Sequence, residues 1–108
     1  MTTYKPDKWV IIEVTTPDGI YKKILSSWYG GFSNGDSWRL SSNIDDVTEE
    51  QHYFEFTTDT GSIYNCFKDN IGMSLYTQSI YDGWLQDLPD GIEMKILENF
   101  THRLIDMC

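Results

Sequence analysis

The side chains of this chain with most chemistry in them are two cysteines, two histidines and seventeen carboxylates. Their spacing organises little of it. His52 and His102 fall in different stretches with no His-Glu-x-x-His or paired-cysteine pattern, so no zinc site is predicted. The run Asp45-Asp46-Val47-Thr48-Glu49-Glu50 lacks the alternating oxygen ligands and central glycine of a calcium loop. Cys66 as a nucleophile would need a base to form the thiolate, and His52 falls on the same face of its predicted hairpin. Phe54, Phe56 and Tyr64 share that face, which favours a buried, inert thiol. Cys66 and Cys108 are far apart and read as free thiols. No enzyme activity, metal or cofactor is expected.

Two other groups of residues suit binding. Trp28-Tyr29-Gly30-Gly31-Phe32-Ser33-Asn34-Gly35-Asp36-Ser37-Trp38 sets flexible backbone N–H groups among four aromatic rings, a combination that can stack a planar ligand and cradle an anion. Trp28, Tyr29, Gly30, Gly31, Phe32 and Trp38 are the candidate ligand-binding residues. The string is neither a Walker loop nor a dinucleotide fingerprint, because no Gly-Lys-Ser/Thr ends it and a strand, not a helix, follows. Its plainer reading is a wide hairpin connection whose tryptophans pack into a sheet. The second group is acidic. Asn43 to Thr60 holds six carboxylates and no Lys or Arg, and Asp69 to Glu93 holds five and none. Asp45, Asp46, Glu49 and Glu50 are the candidate protein-binding residues, suited to a basic surface. The formal net charge of −9 repels phosphate backbones and anionic lipid heads, so direct nucleic-acid and membrane partners are not expected. The plainer reading of the same charge is solubility.

The elements that must position these groups follow from periodicity. With 108 residues, 40 % of them hydrophobic and 15 % aromatic, the chain is predicted to fold as a single domain, β-rich over residues 8–68 and helical over 72–107. Lys8 to Val14 reads as a strand and Thr16-Pro17-Asp18-Gly19 as a turn. Ile20 to Trp28 is a second strand, in which Lys22 interrupts the apolar side. Ser37 to Ile44 alternates as a third strand, and Asp45 to Glu50 is an acidic connection. His52 to Thr58 and Ser62 to Lys68 flank a three-residue loop as a hairpin that sets Phe54 near Cys66 and Phe56 near Tyr64. From Gly72 the period lengthens: Met73, Tyr76, Ile80, Trp84 and Leu88 predict an amphipathic helix ended by Pro89. Asp90-Gly91-Ile92-Glu93 has the spacing of a capping box, and a second helix is favoured from about Gly91, with Ile92, Met94 and Ile96 as a sixth strand the rival. The expected fold is α+β: a five-stranded antiparallel meander or small open barrel packed by one or two C-terminal helices.

Ser27-Trp28-Tyr29-Gly30-Gly31-Phe32, then Gly35-Asp36-Ser37-Trp38-Arg39-Leu40-Ser41-Ser42, and later Thr60-Gly61-Ser62-Ile63-Tyr64-Asn65-Cys66, resemble small uncharacterised proteins of T4-like tailed phages, over about Lys8 to Trp84. The resemblance implies a context, an accessory or host-takeover factor in an infected bacterium, and transfers no catalytic or binding residue. Independently, the opening Met-Thr-Thr-Tyr-Lys-Pro-Asp has no apolar core of a secretory signal and no run approaches the length of a bilayer span, so a cytoplasmic protein is expected. Two functions follow from the residues. In the first, a small acidic binding protein inhibits or modulates a basic-surfaced protein, a mimic of nucleic-acid charge being one form of this. In the second, the Trp/Gly-rich loop binds a small nucleotide-like ligand without turnover.

Overall fold

The computed structural model describes residues 2–29 and 37–97. They form eight strands, β1 (Thr3–Tyr4), β2 (Lys8–Thr16), β3 (Gly19–Trp28), β4 (Ser37–Leu40), β5 (Ile44–Glu49), β6 (Tyr53–Thr58), β7 (Ile63–Phe67) and β8 (Glu93–Leu97), and one helix, α1 (Leu75–Gln86). The strands make two four-stranded sheets, ordered β1-β7-β6-β5 and β4-β3-β2-β8. The α+β class therefore stands, while the single five-stranded meander is replaced by two sheets and the strands close into no barrel.

The reason lies in β2. Its run Trp9-Val10-Ile11-Ile12 is buried at every position, and alternate residues of a strand point to opposite faces. Trp9 and Ile11 pack with Ile24, Ile44, Val47, Phe54, Phe56, Tyr64 and Cys66 in a core between the sheets. Val10 and Ile12 pack with Leu25 and Tyr81 in a second core, beneath α1. One strand thus needs a cover on each side, and the molecule is a sheet, a sheet and a helix. The Trp9 indole N–H also donates to the Phe67 carbonyl at 2.7 Å, tying β2 to the opposite sheet.

The first hairpin follows the sequence, with Thr16 paired to Gly19 and Lys8 to Ser27. The β6–β7 hairpin has the expected register, Phe54 opposite Cys66 and Phe56 opposite Tyr64, around Gly61 at φ +89°. The third strand is shorter than its alternation predicts and stops at Leu40. Ser41 donates its N–H to the Ile24 carbonyl and accepts the Ile24 N–H on its Oγ, and Asn43 Oδ1 accepts the Lys22 N–H at 3.0 Å. Side chains here replace ladder bonds, as Ser and Asn do readily, and the chain turns the corner into the other sheet.

The predicted acidic connection is itself strand β5. A register shift between Ile44 and Asp46 leaves Asp45 as the extra residue of a bulge, which brings Ile44 and Val47 both into the core although they are three positions apart. The second predicted helix is also corrected: Glu93–Leu97 is a strand. Ile92 N–H bonds the Pro89 carbonyl and Gly91 sits at φ +84°, a turn conformation that the capping-box reading did not allow for. β8 then supplies what the outer edge of β2 lacks, setting Met94 beside Val14, Ile96 beside Ile12, Leu97 beside Ile11 and Lys95 beside Glu13. The remaining helical expectation, residues 98–107, lies outside the described residues.

Helix α1 begins at Leu75, three residues after the point where the period lengthens, and its buried face is turned. Thr77 and Tyr81 are its buried residues, whereas Tyr76, expected in the stripe, is exposed. Thr77 can be buried because its Oγ1 donates to the Ser74 carbonyl, while the Ser74 Oγ accepts the Thr77 N–H as the helix N-cap. Lys22, the interruption in β3, lies on the inner face and bonds Glu13 at 3.6 Å, and Glu13 bonds Lys95 at 3.4 Å from the other side.

Trp9→Ala removes a fully buried indole that touches both sheets, and a cost of ~3–5 kcal/mol is expected against a total stability of ~5–15 kcal/mol. At roughly 4–8 °C per kcal/mol, its melting temperature should fall steeply or its cooperative transition vanish. Trp84→Ala, from a half-buried position on α1, should lose less than half as much. Equal losses in thermal melts would show that the two cores have been ranked wrongly.

Candidate functional site

Strand β5 ends its sheet, so one of its edges is unpaired among the described residues. Glu50 N–H bonds the Tyr53 carbonyl at 2.8 Å. Because inward and outward backbone groups alternate along an antiparallel pair, those of Thr48 and Asp46 then face β6 and those of Val47 and Glu49 face away. Asp45, Asp46, Glu49 and Glu50 are all exposed on this strand or at its end. The four lie along about one strand length, with Asp46 on the outer face of the sheet and Glu49 on the face that carries Val47. Glu49 is held by Lys68, whose Nζ lies 2.7 Å from its carboxylate and 5.1 Å from the centre of the Phe54 ring. An exposed pair of this kind contributes roughly 0–1 kcal/mol. Val47 anchors the strand by its burial at 4 % exposure, so the carboxylates ride on a fixed backbone.

The aromatic group is divided instead of gathered. Ser27 pairs with Trp38 and Trp28 with Ser37, so the two tryptophans point to opposite faces of their sheet. Trp28 packs near Tyr4 with ring centres 6.2 Å apart and donates its indole N–H to the Lys5 carbonyl. Trp38 meets Trp84 of α1 edge-on at 5.3 Å. Tyr29 is half exposed, its N–H bonded to Asp7 Oδ2 at 2.9 Å. Gly30, Gly31 and Phe32 lie outside the described residues. Trp28 and Trp38 therefore cannot flank one planar ligand.

Cys66 is wholly buried in the inter-sheet core, and burial pushes its thiol well above the usual range. His52 is exposed in the β5–β6 turn. A thiolate is disfavoured at that position. No three His, Cys, Asp or Glu side chains converge among the described residues, and no helix among them is long and apolar enough to cross a membrane.

One surface escaped the sequence reading. Between α1 and β8 runs an open apolar groove of about 390 Å³, floored by Ile80, Trp84, Leu88 and Met94 and bordered by Gly83, Asp87 and Pro89. Gly83 is the signal that was available. A glycine in mid-helix costs about 1 kcal/mol relative to alanine, and here an added Cβ would meet nothing within 4 Å, so packing does not demand it.

Comparison of the chain with protein-family models, curated proteins and solved structures finds no match. The geometry is accordingly what carries the functional reading.

Burial also raises the phenols of Tyr64 and Tyr81, in Tyr64 against the opposing pull of the Arg39 hydrogen bond and in Tyr81 with the help of neighbouring Asp82. Groups raised in the folded state keep their protons where the unfolded chain releases them. Their stabilisation is complete below the free thiol and phenol range, roughly pH 8.5–10, and is lost as pH climbs through the folded values. Urea unfolding from pH 7 to 10.5 should therefore show stability falling above about pH 9, with Cys66→Ala delaying the onset. A flat profile in the parent, or rapid labelling of native Cys66 by a thiol reagent near neutral pH, would contradict this placement.

Proposed function

We propose that this protein is a non-enzymatic binding protein that uses the β5 edge to dock on a basic-surfaced protein and so inhibits or modulates it. The supporting observation is the coincidence of two features along β5: four exposed carboxylates, Asp45, Asp46 and Glu49 on the strand and Glu50 just past its end, and an edge whose Val47 and Glu49 backbone groups face away from β6. Edge strands that carry charge and a bulge resist pairing with copies of themselves. Like-signed edges repel, whereas a cationic surface meets the same carboxylates with attraction, so one arrangement disfavours self-association and favours an opposite partner. With a net charge of −9, long-range steering acts in the same direction. A charge mimic of nucleic acid, acting as a phage accessory or host-takeover factor, is the form this function takes in the context the sequence resemblance implies. The small-ligand reading of the Trp28–Trp38 stretch gains no comparable support, because those two rings are on opposite faces.

Replacing Asp45 and Asp46 by Asn and Glu49 and Glu50 by Gln tests the proposal. Against a basic partner captured from bacterial lysate, surface-binding kinetics should show a slower association rate, by roughly tenfold at low salt, and a flatter salt dependence. The melting temperature should stay within a few degrees, since exposed charges contribute little to stability. Equal association rates for parent and variant at low salt would remove the β5 edge from the account.

A further inference from the structure

We infer that the groove between α1 and β8 is a second docking surface, which takes a large apolar side chain of another protein flanked by Lys or Arg. It lies in the helical layer, away from β5, and does not depend on the reading given to that edge.

Three observations converge on it. The groove is apolar in its floor, where Ile80, Trp84, Leu88 and Met94 are each half-buried and have surface left over. Its only charged lining residue is acidic: Asp87 lines it, and no Lys or Arg occurs from Asp69 to Glu93, where Asp82 and Asp90 add to the negative field. Lys95, the nearest cation along β8, belongs to the other face of the sheet, where it bonds Glu13. An anchor of either negative or neutral surroundings would forgo this complementarity, so a cationic flank is the fit.

Gly83 supplies the third observation. It stands in the middle of α1, in the wall of the groove, with open space where a side chain would be. Helix propensity argues against glycine there and packing does not require it. The open space leaves room for a partner's side chain to lie against the helix backbone, room that a large side chain at this position would fill. Trp84, edge-on to Trp38 at 5.3 Å, forms the aromatic part of the floor, and tryptophan surfaces of this kind are frequent anchoring points at interfaces.

The probe is the peptide acetyl-KKLLKK-amide, titrated into the full chain at low salt and followed by protein tryptophan fluorescence, to which the peptide adds nothing. Saturable binding is expected, at least ~10-fold weaker for KKSSKK, which lacks the anchor, and for EELLEE, which lacks the charge. Gly83→Leu should weaken it by ~10-fold or more, while Gly83→Ala stays within ~3-fold of the parent and melts at a higher temperature. Asp82→Asn, Asp87→Asn and Asp90→Asn together should weaken binding several-fold and flatten its salt dependence, which keeps the test decisive if Gly83→Leu folds poorly. The four substitutions on β5 should leave the affinity unchanged. Equal binding of KKLLKK and KKSSKK, no saturation with any peptide, or Gly83→Leu binding as the parent does would overturn the inference. Two other occupants would also overturn it. A dimer seen by sedimentation and abolished by Gly83→Leu would give the groove to a second copy, and tighter peptide binding in Leu104→Asp would give it to residues 98–108.

Discussion

Burial of one strand on both faces is the constraint from which the rest of this structure follows. Trp9 and Ile11 on one side and Val10 and Ile12 on the other leave β2 no solvent-facing option between residues 9 and 12. A single sheet with one helix behind it would cover half of this surface. The chain covers all of it by turning a corner at Ser41–Asn43 and building a second sheet over Trp9, while α1 and its Tyr81 lie over Val10 and Ile12. The Trp9 indole meets Phe54 and Phe56 edge-on at 6.1 and 5.7 Å and donates to the Phe67 carbonyl at 2.7 Å, so the central side chain is satisfied in both its apolar and its polar parts.

That arrangement decides which surfaces remain for function. Covering β2 twice places β5 at the rim of one outer layer and α1 in the other, and each presents carboxylates with few cations nearby. The open side of the sandwich at β4 is spanned by Arg39, whose Nε donates to the Tyr64 hydroxyl at 3.1 Å and whose guanidinium lies 4.8 Å from the centre of the Tyr4 ring, itself stacked on Tyr64. The few basic side chains thus include several with structural tasks: Arg39 bridging the sheets, Lys22 bonded to Glu13, and Lys68 bonded to Glu49. The carboxylates outnumber them and are left to face outward.

What could be read from sequence were the features fixed by neighbours along the chain. The turn at Gly19 and the β6–β7 register depend on glycine conformation and alternation, both local. Several of the misreadings share a cause, that a distant strand overrode a local pattern. Met94 and Ile96 belong to a strand because β2 offers an edge, although Leu97 onward keeps helical spacing. Ile44 and Val47 look out of phase until the bulge at Asp45 is known. Thr77 is polar by type and buried in fact, because Ser74 satisfies it. For the candidate sites, the acidic run was legible as composition, but its position on an edge strand was not, and the division of Trp28 from Trp38 needed the pairing of β3 with β4. Gly83 was visible throughout as an unexplained glycine in a helix.

Amide hydrogen exchange resolved by residue tests the central claim, that two-sided burial of β2 holds the molecule together, most directly. Amides of Val10, Ile11 and Ile12 should exchange only through global unfolding, with the same free energy as urea denaturation gives, because opening them requires removing both covers. The outward amides of Val47 and Glu49 on the β5 edge should exchange orders of magnitude faster. If the β2 amides exchange as readily as those of the β5 edge, or through a local opening well below the global free energy, the strand is not the element on which the two sheets and the helix depend.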